Sequence, residues 1–123
     1  MAQFEVHRNV GRHKDGIPFV VVAQSRLFDD YRRRVVIPLV RKSELSQIPN
    51  PRLNPSFKVK GIAVVLHPLE IVSVANEHLG ERVGSLAEEG DAIVAALDEL
   101  FTRAFGYIRD GARSAKSRPT FGA

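Results

Sequence analysis

Arg33-Arg34-Val35-Val36-Ile37-Pro38-Leu39-Val40 is the stretch on which the fold turns. Four β-branched residues and a leucine behind two arginines read as a strand. Pro38 has no N–H to give a ladder, so this strand is expected at a sheet edge, or bulged near its end. Upstream, residues 17–25 (IPFVVVAQS) are β-branched and aromatic and read as another strand. Between the two, residues 26–32 form a connecting loop that carries two large apolar residues, Leu27 and Phe28, in a charged setting.

The same reading extends both ways. Phe4 and Val6 alternate with Gln3, Glu5 and His7, a period of two that marks a first strand. Residues 11–16 are polar with a glycine at each end, a loop or hairpin connection. Residues 43–46 suit a short helical turn, and Pro49, Pro51 and Pro55 then impose an extended irregular stretch. Residues 57–60 and 62–67 form a hairpin around Lys60-Gly61, Pro68 ends it, and residues 69–75 make a further strand.

One helix stands out. Ser85 and Glu88 have the spacing of a capping box. Ile93, Leu97, Leu100, Phe101, Ala104 and Phe105 recur on one stripe, with Asp91, Asp98 and Glu99 facing away. Gly90 weakens the first turn by about 1 kcal/mol, which places the start at Asp91. The order is β-rich with one late helix, a β-rich α+β chain: a small, strongly curved sheet or barrel closed by that helix. Residues 1–108 make up this body. Residues 109–123 are polar and basic without an apolar period and read as a disordered tail.

A length of 123 residues with 44% hydrophobic and 26% charged side chains suits one compact domain. Cysteine is absent, which excludes disulfides, thiolate metal sites and cysteine nucleophiles. No apolar run approaches the roughly 20 residues of a membrane span, and the first residues do not read as a signal peptide, so a cytoplasmic protein is expected. The formal net charge is +4. Arg109, Arg113, Lys116 and Arg118 against Asp110 put most of it in the tail. The body is polarised: residues 26–42 carry six basic side chains against two acidic, and residues 77–99 carry seven acidic against Arg82. Such asymmetry suits self-association or the steering of a charged partner or, more plainly, is two solvated faces.

Catalytic signals are missing. No glycine loop cradles a phosphate, no serine sits in a nucleophile elbow, and no cofactor or metal motif is present. His7, His13, His67 and His78 fall in separate elements and read as ordinary surface or strand residues. The run Arg32-Arg33-Arg34 leaves three readings open: phosphate binding, pairing with the acidic region, or leading a strand out of a loop. Alternation sets Arg33 opposite Arg32 and Arg34, and no aromatic platform accompanies them, so direct sequence-specific nucleic-acid binding is not expected. Leu27 and Phe28 are either tucked under the barrel or presented to a partner. The aromatic-rich stretch 100–108 poses the same choice at the helix end.

Taken together these blocks resemble the CcdB family. Gln3-Phe4-Glu5-Val6 is like the family's opening, with His7 where the family has tyrosine. Gln24-Ser25 and then Arg33-Arg34-Val35-Val36-Ile37-Pro38-Leu39 follow at ungapped spacing. Leu53-Asn54-Pro55, Gly80-Glu81-Arg82-Val83 with Leu86, and Ala96-Leu97-Asp98-Glu99-Leu100-Phe101 complete the likeness over residues 2–106.

The resemblance implies an SH3-like small barrel, of the kind shared with MazF, carrying a C-terminal α-helix and acting as a homodimer. It implies a non-catalytic toxin that binds the DNA gyrase A subunit, traps the cleaved-DNA complex and is neutralised by a CcdA-like antitoxin. By position, the gyrase contact would comprise Leu27, Phe28 and Asp98, and Phe101 would join them at the helix end. Phe105 and Gly106 stand in for the family's terminal Trp-Gly-Ile, where direct continuation gives Thr102, Arg103 and Ala104. By location, the antitoxin would face residues 7–16 and 41–49, where Arg12, Lys14, Arg41 and Lys42 suit an acidic segment. Two other functions fit the same fold: a MazF-like endoribonuclease using Arg33 or Arg34 with Asp29 or Asp30, and a non-toxic module that only binds an antitoxin.

Overall fold

A computed structural model describes residues 3–48 and 50–101. Among the described residues seven strands form one antiparallel sheet: β1 (Glu5–Arg8), β2 (Phe19–Val22), β3 (Arg33–Arg41), β4 (Ser56–Val59), β5 (Ile62–Leu66), β6 (Val72–Ala75) and β7 (Arg82–Ser85). The helix α1 spans Gly90–Phe101. Strand order is β4-β5-β3-β2-β1-β7, with β6 paired to β3 as well. The sheet curls into a half-barrel whose inner face is closed by α1, the expected small barrel with a C-terminal helix.

The expectation that Pro38 marks an edge is overturned. β3 is the central strand, with β2 along one side and both β6 and β5 along the other. β6 pairs with residues 33–36 and β5 with residues 39–41, so Pro38 stands where one neighbour has ended and the next has not begun. Val35 faces β2, accepting from the Ala23 N–H. Alternation then turns residue 38 away from β2, into that gap. No partner there needs a donor, and the Pro38 carbonyl still accepts from the His67 N–H.

Two faces of the sheet are apolar. Phe19, Val21, Ile37, Leu39, Val64 and Leu66 point inward and meet Ile93 and Ala96 of α1 in one core. Burying each large side chain contributes about 1.5–3 kcal/mol. The alternate residues Val22, Val36 and Pro38 are also buried, on the outer face. At the β4–β5 hairpin, Lys60 and Gly61 take φ values of 52° and 77°. Two positive φ angles in a two-residue loop define the turn whose twist matches the flanking strands, as the sequence leads one to expect.

Several local readings need correction. Phe4 lies outside β1 with φ of 71°. Its amide donates to Val22 O and its carbonyl accepts from Leu86 N–H, which seats its ring on the helix start. A Cβ on Gly90 would come within 2.6 Å of that ring. The glycine that weakens the first turn is therefore what lets Phe4 pack, and the helix begins at Gly90 itself. Ser85 closes β7, and its Oγ accepts from Ala87 N–H rather than forming a capping box with Glu88. Residues 50–54 are a turn rather than an extended stretch, because Asn50 Oδ1 accepts from the N–H groups of Arg52 and Leu53. Arg52 Nε in turn lies 2.9 Å from Glu99 Oε1, so Glu99 is drawn onto the body instead of facing away.

Strand β7 has no clear apolar alternation, and only pairing with β1 reveals it. That pairing slips between Val6 and His7, which buries both on consecutive positions. His7 Nδ1–H donates to the Gly80 carbonyl, while Nε2 lies 3.3 Å from Glu5 Oε1. Glu5 Oε2 lies 3.3 Å from Arg82 Nε. His7 thus latches the β1–β7 seam.

Candidate target-binding surface

The β2–β3 connection is a built loop. Ser25 Oγ accepts from Leu27 N–H and starts a 3₁₀ turn over Arg26–Phe28. Gln24 braces both sides, its Nε2 donating to Phe28 O and Arg33 O while its Oε1 accepts from Val35 N–H. The Gln24-Ser25 pair thus has a structural reason to precede this loop. Beneath it, Arg34 is only 4% exposed. Its guanidinium donates to the carbonyls of Asp29, Tyr31 and Arg33. Asn76 adds a side-chain bond to Tyr31 O and a backbone bond to Arg32 O.

The braced loop holds its apolar residues in water. Leu27 is 84% exposed and Phe28 47%. Neither side chain is tucked under the barrel. The arginine run divides differently from the alternation expected for Arg32 and Arg34. Arg32 precedes β3 and is exposed, Arg34 is buried, and Arg33 donates from Nε to Ser73 Oγ at 2.7 Å and from a terminal nitrogen to Ser73 O. Both guanidiniums offered to an RNA-cleaving site are thus engaged in holding backbone.

At the other candidate region, Asp98 is exposed on α1 and Phe101, its last residue, is 63% exposed. α1 packs on the inner face of the sheet and against the turns Pro68–Glu70 and Ala87–Glu89, whereas the loop tip is braced by Asn76, just after β6. The two candidate clusters thus sit on separate supports. Phe105, Gly106 and the segment 109–123 lie outside the described residues.

Of the basic residues assigned to an antitoxin, Arg12, Lys14 and Lys42 are exposed and Arg41 is half-buried. Arg41 Nε donates to Asp15 O and its amide to Gly16 O, which ties the exposed 11–16 loop with Arg12 and Lys14 to the exposed Lys42. Beside this loop, on the outer face of the sheet, lies an apolar concavity of about 230 Å³ floored by Val20, Val36, Pro38, Val72 and Val74. Arg8, Arg12 and His78 rim it. A second, of about 440 Å³, opens between Leu45, Ile48, Leu53, Val65 and Leu69. The sequence reading missed both. Strands that bury two faces read as uniformly apolar, so the outer set does not separate from the core set.

The family model described as CcdB protein matches residues 3–103. The chain belongs to the CcdB family. It is therefore a toxin of a toxin–antitoxin system. No curated protein matches the chain. No helix among the described residues is long and apolar enough to cross a membrane.

Proposed function

We propose that this CcdB-family toxin poisons DNA gyrase by binding, without catalysis of its own. The observation that carries the reading is the tip formed by Leu27 and Phe28. Two large apolar side chains are kept in solvent by a loop that Gln24, Arg34 and Asn76 stiffen from beneath. Exposure of this kind costs solubility and adds nothing to the fold, whereas a preformed anchor spares a complex the entropy of ordering it. In this reading the tip, with Asp98, Phe101, Phe105 and Gly106 at the helix end, enters the gyrase A subunit and stabilises its cleaved-DNA state. A ligand that favours one state of a cycling machine holds it there.

The toxin works as a cytoplasmic homodimer, and residues 1–108 form its functional body ahead of the 109–123 extension. The apolar outer concavity, with Val72 half-exposed, supports a covering partner. A CcdA-like antitoxin binds through acidic residues facing Arg12, Lys14, Arg41 and Lys42. The engagement of Arg33 and Arg34 with backbone weighs against the endoribonuclease alternative.

The test is incubation of the full chain with purified gyrase and supercoiled plasmid. Accumulation of protein-linked, cleaved DNA is the expected result. RNA fragments without gyrase would replace this function with the nuclease. Antitoxin-peptide binding with neither activity would reduce the chain to a binding module.

A further inference from the structure

The loop that carries Leu27 and Phe28 exposes a third large side chain, Tyr31, at 65%. Its ring meets Phe28 edge to face, with centroids 5.7 Å apart and planes at 78°. The contact is set by backbone: Tyr31 N–H donates to Phe28 O, and Tyr31 O is the acceptor shared by Arg34 and Asn76. The aromatic pair therefore sits on the most heavily braced stretch of the loop. Arg26 and Arg32, both exposed, flank it.

A tyrosine in this position has no core to fill. It offers large contact area on few rotatable bonds and a hydroxyl at the far end, the properties that concentrate tyrosine among interface anchors. We propose that Tyr31 is the third anchor of the target contact, where its ring extends the Leu27–Phe28 patch and its hydroxyl selects a protein pocket with an apolar floor and a hydrogen-bond acceptor at its lip. The proposal rests on the gyrase-directed reading and deepens it by adding a residue and the chemistry of the surface it meets. The edge-to-face pair makes the anchors act as a unit, so removing the ring leaves Phe28 without its lateral support.

The experiment titrates full-length Tyr31→Ala, Tyr31→Phe and the double variant Leu27→Ala/Phe28→Ala in the plasmid-cleavage assay with purified gyrase, alongside thermal melts. Tyr31→Ala should raise the half-effective concentration roughly thirtyfold or more, the span of an interface hot spot, with an unchanged melting temperature. Tyr31→Phe should raise it about two- to tenfold, the worth of one hydrogen bond. If Tyr31→Ala traps cleaved DNA as well as the parent while the double variant fails, the proposal falls and the target reading survives. If none of the three changes trapping, the target reading itself falls. Tyr31→Phe at full strength beside an early-melting Tyr31→Ala would assign the ring to folding and overturn the proposal. Direct, salt-sensitive DNA binding by the free parent toxin that Tyr31→Ala lacks would move the contact to nucleic acid and overturn it as well.

Discussion

Replacing Arg34 by alanine removes the brace under the loop tip. Arg34 is 4% exposed and donates to three carbonyls, those of Asp29, Tyr31 and Arg33. A hydrogen bond to a charged donor is worth about 1.5–3 kcal/mol, and a buried acceptor left without a partner costs about 1–3 kcal/mol. Two of the three carbonyls keep a second donor, since Asn76 reaches Tyr31 O and Gln24 reaches Arg33 O. The expected net loss is therefore about 3 kcal/mol rather than the sum of three full bonds. For a chain of this size that corresponds to a fall in melting temperature of roughly 10–15 °C. Lysine restores the charge but not the planar fork that spans three acceptors, so Arg34→Lys should recover less than half of the loss. Thermal melts of the three proteins, with hydrogen exchange of the amides at 26–33, measure both the global and the local effect. An Arg34→Ala protein that melts with the parent and keeps its loop amides protected would refute the idea that this guanidinium organises the tip.

Further outcomes follow from the same geometry. Gly90→Ala should destabilise by about 1–3 kcal/mol in urea unfolding, although alanine favours helix, because its methyl would meet the Phe4 ring. Leu27→Ala/Phe28→Ala should leave stability within about 0.5 kcal/mol while abolishing gyrase-dependent DNA cleavage, since neither side chain belongs to the core. Arg52→Ala should cost at most about 1 kcal/mol in the same unfolding assay, its side chain being more than half exposed beside Glu99. Lys14→Glu/Lys42→Glu should weaken binding of an acidic antitoxin peptide at low salt in titration calorimetry, with the deficit shrinking as salt is added.

Much of the architecture was legible because its signals are local. The Lys60-Gly61 turn, the β-branched runs of β2 and β3, and the helical spacing that sets Ile93 and Leu97 against the core each follow from a short window of sequence, whereas Phe101 on the same stripe is exposed. Leu27 and Phe28 were legible for the same reason, as apolar residues in a charged loop. What stayed hidden depends on contacts distant along the chain. Pro38 points to an edge until β5 and β6 are seen to divide one side of β3 between them. Gly90 reads as a weak helix start until Phe4, far away in sequence, is set against it. β7 has no period of its own and exists through β1. Tyr31 escaped notice because a lone tyrosine among arginines and aspartates gives no pattern; its signal is the edge-to-face contact with Phe28. Arg34 reads in sequence as one of a charge run, and only burial separates it from its neighbours.

The break opposite Pro38 has a consequence for what else can touch the molecule. Where two neighbours meet end to end along a longer strand, an ordinary residue would leave one amide hydrogen aimed at nothing. That stray hydrogen would draw water under the sheet or offer a foothold to an extended segment of another chain. An imino acid at that position removes the hydrogen altogether. The seam is silent to passing backbone, and whatever settles over it meets an apolar floor instead of a free donor.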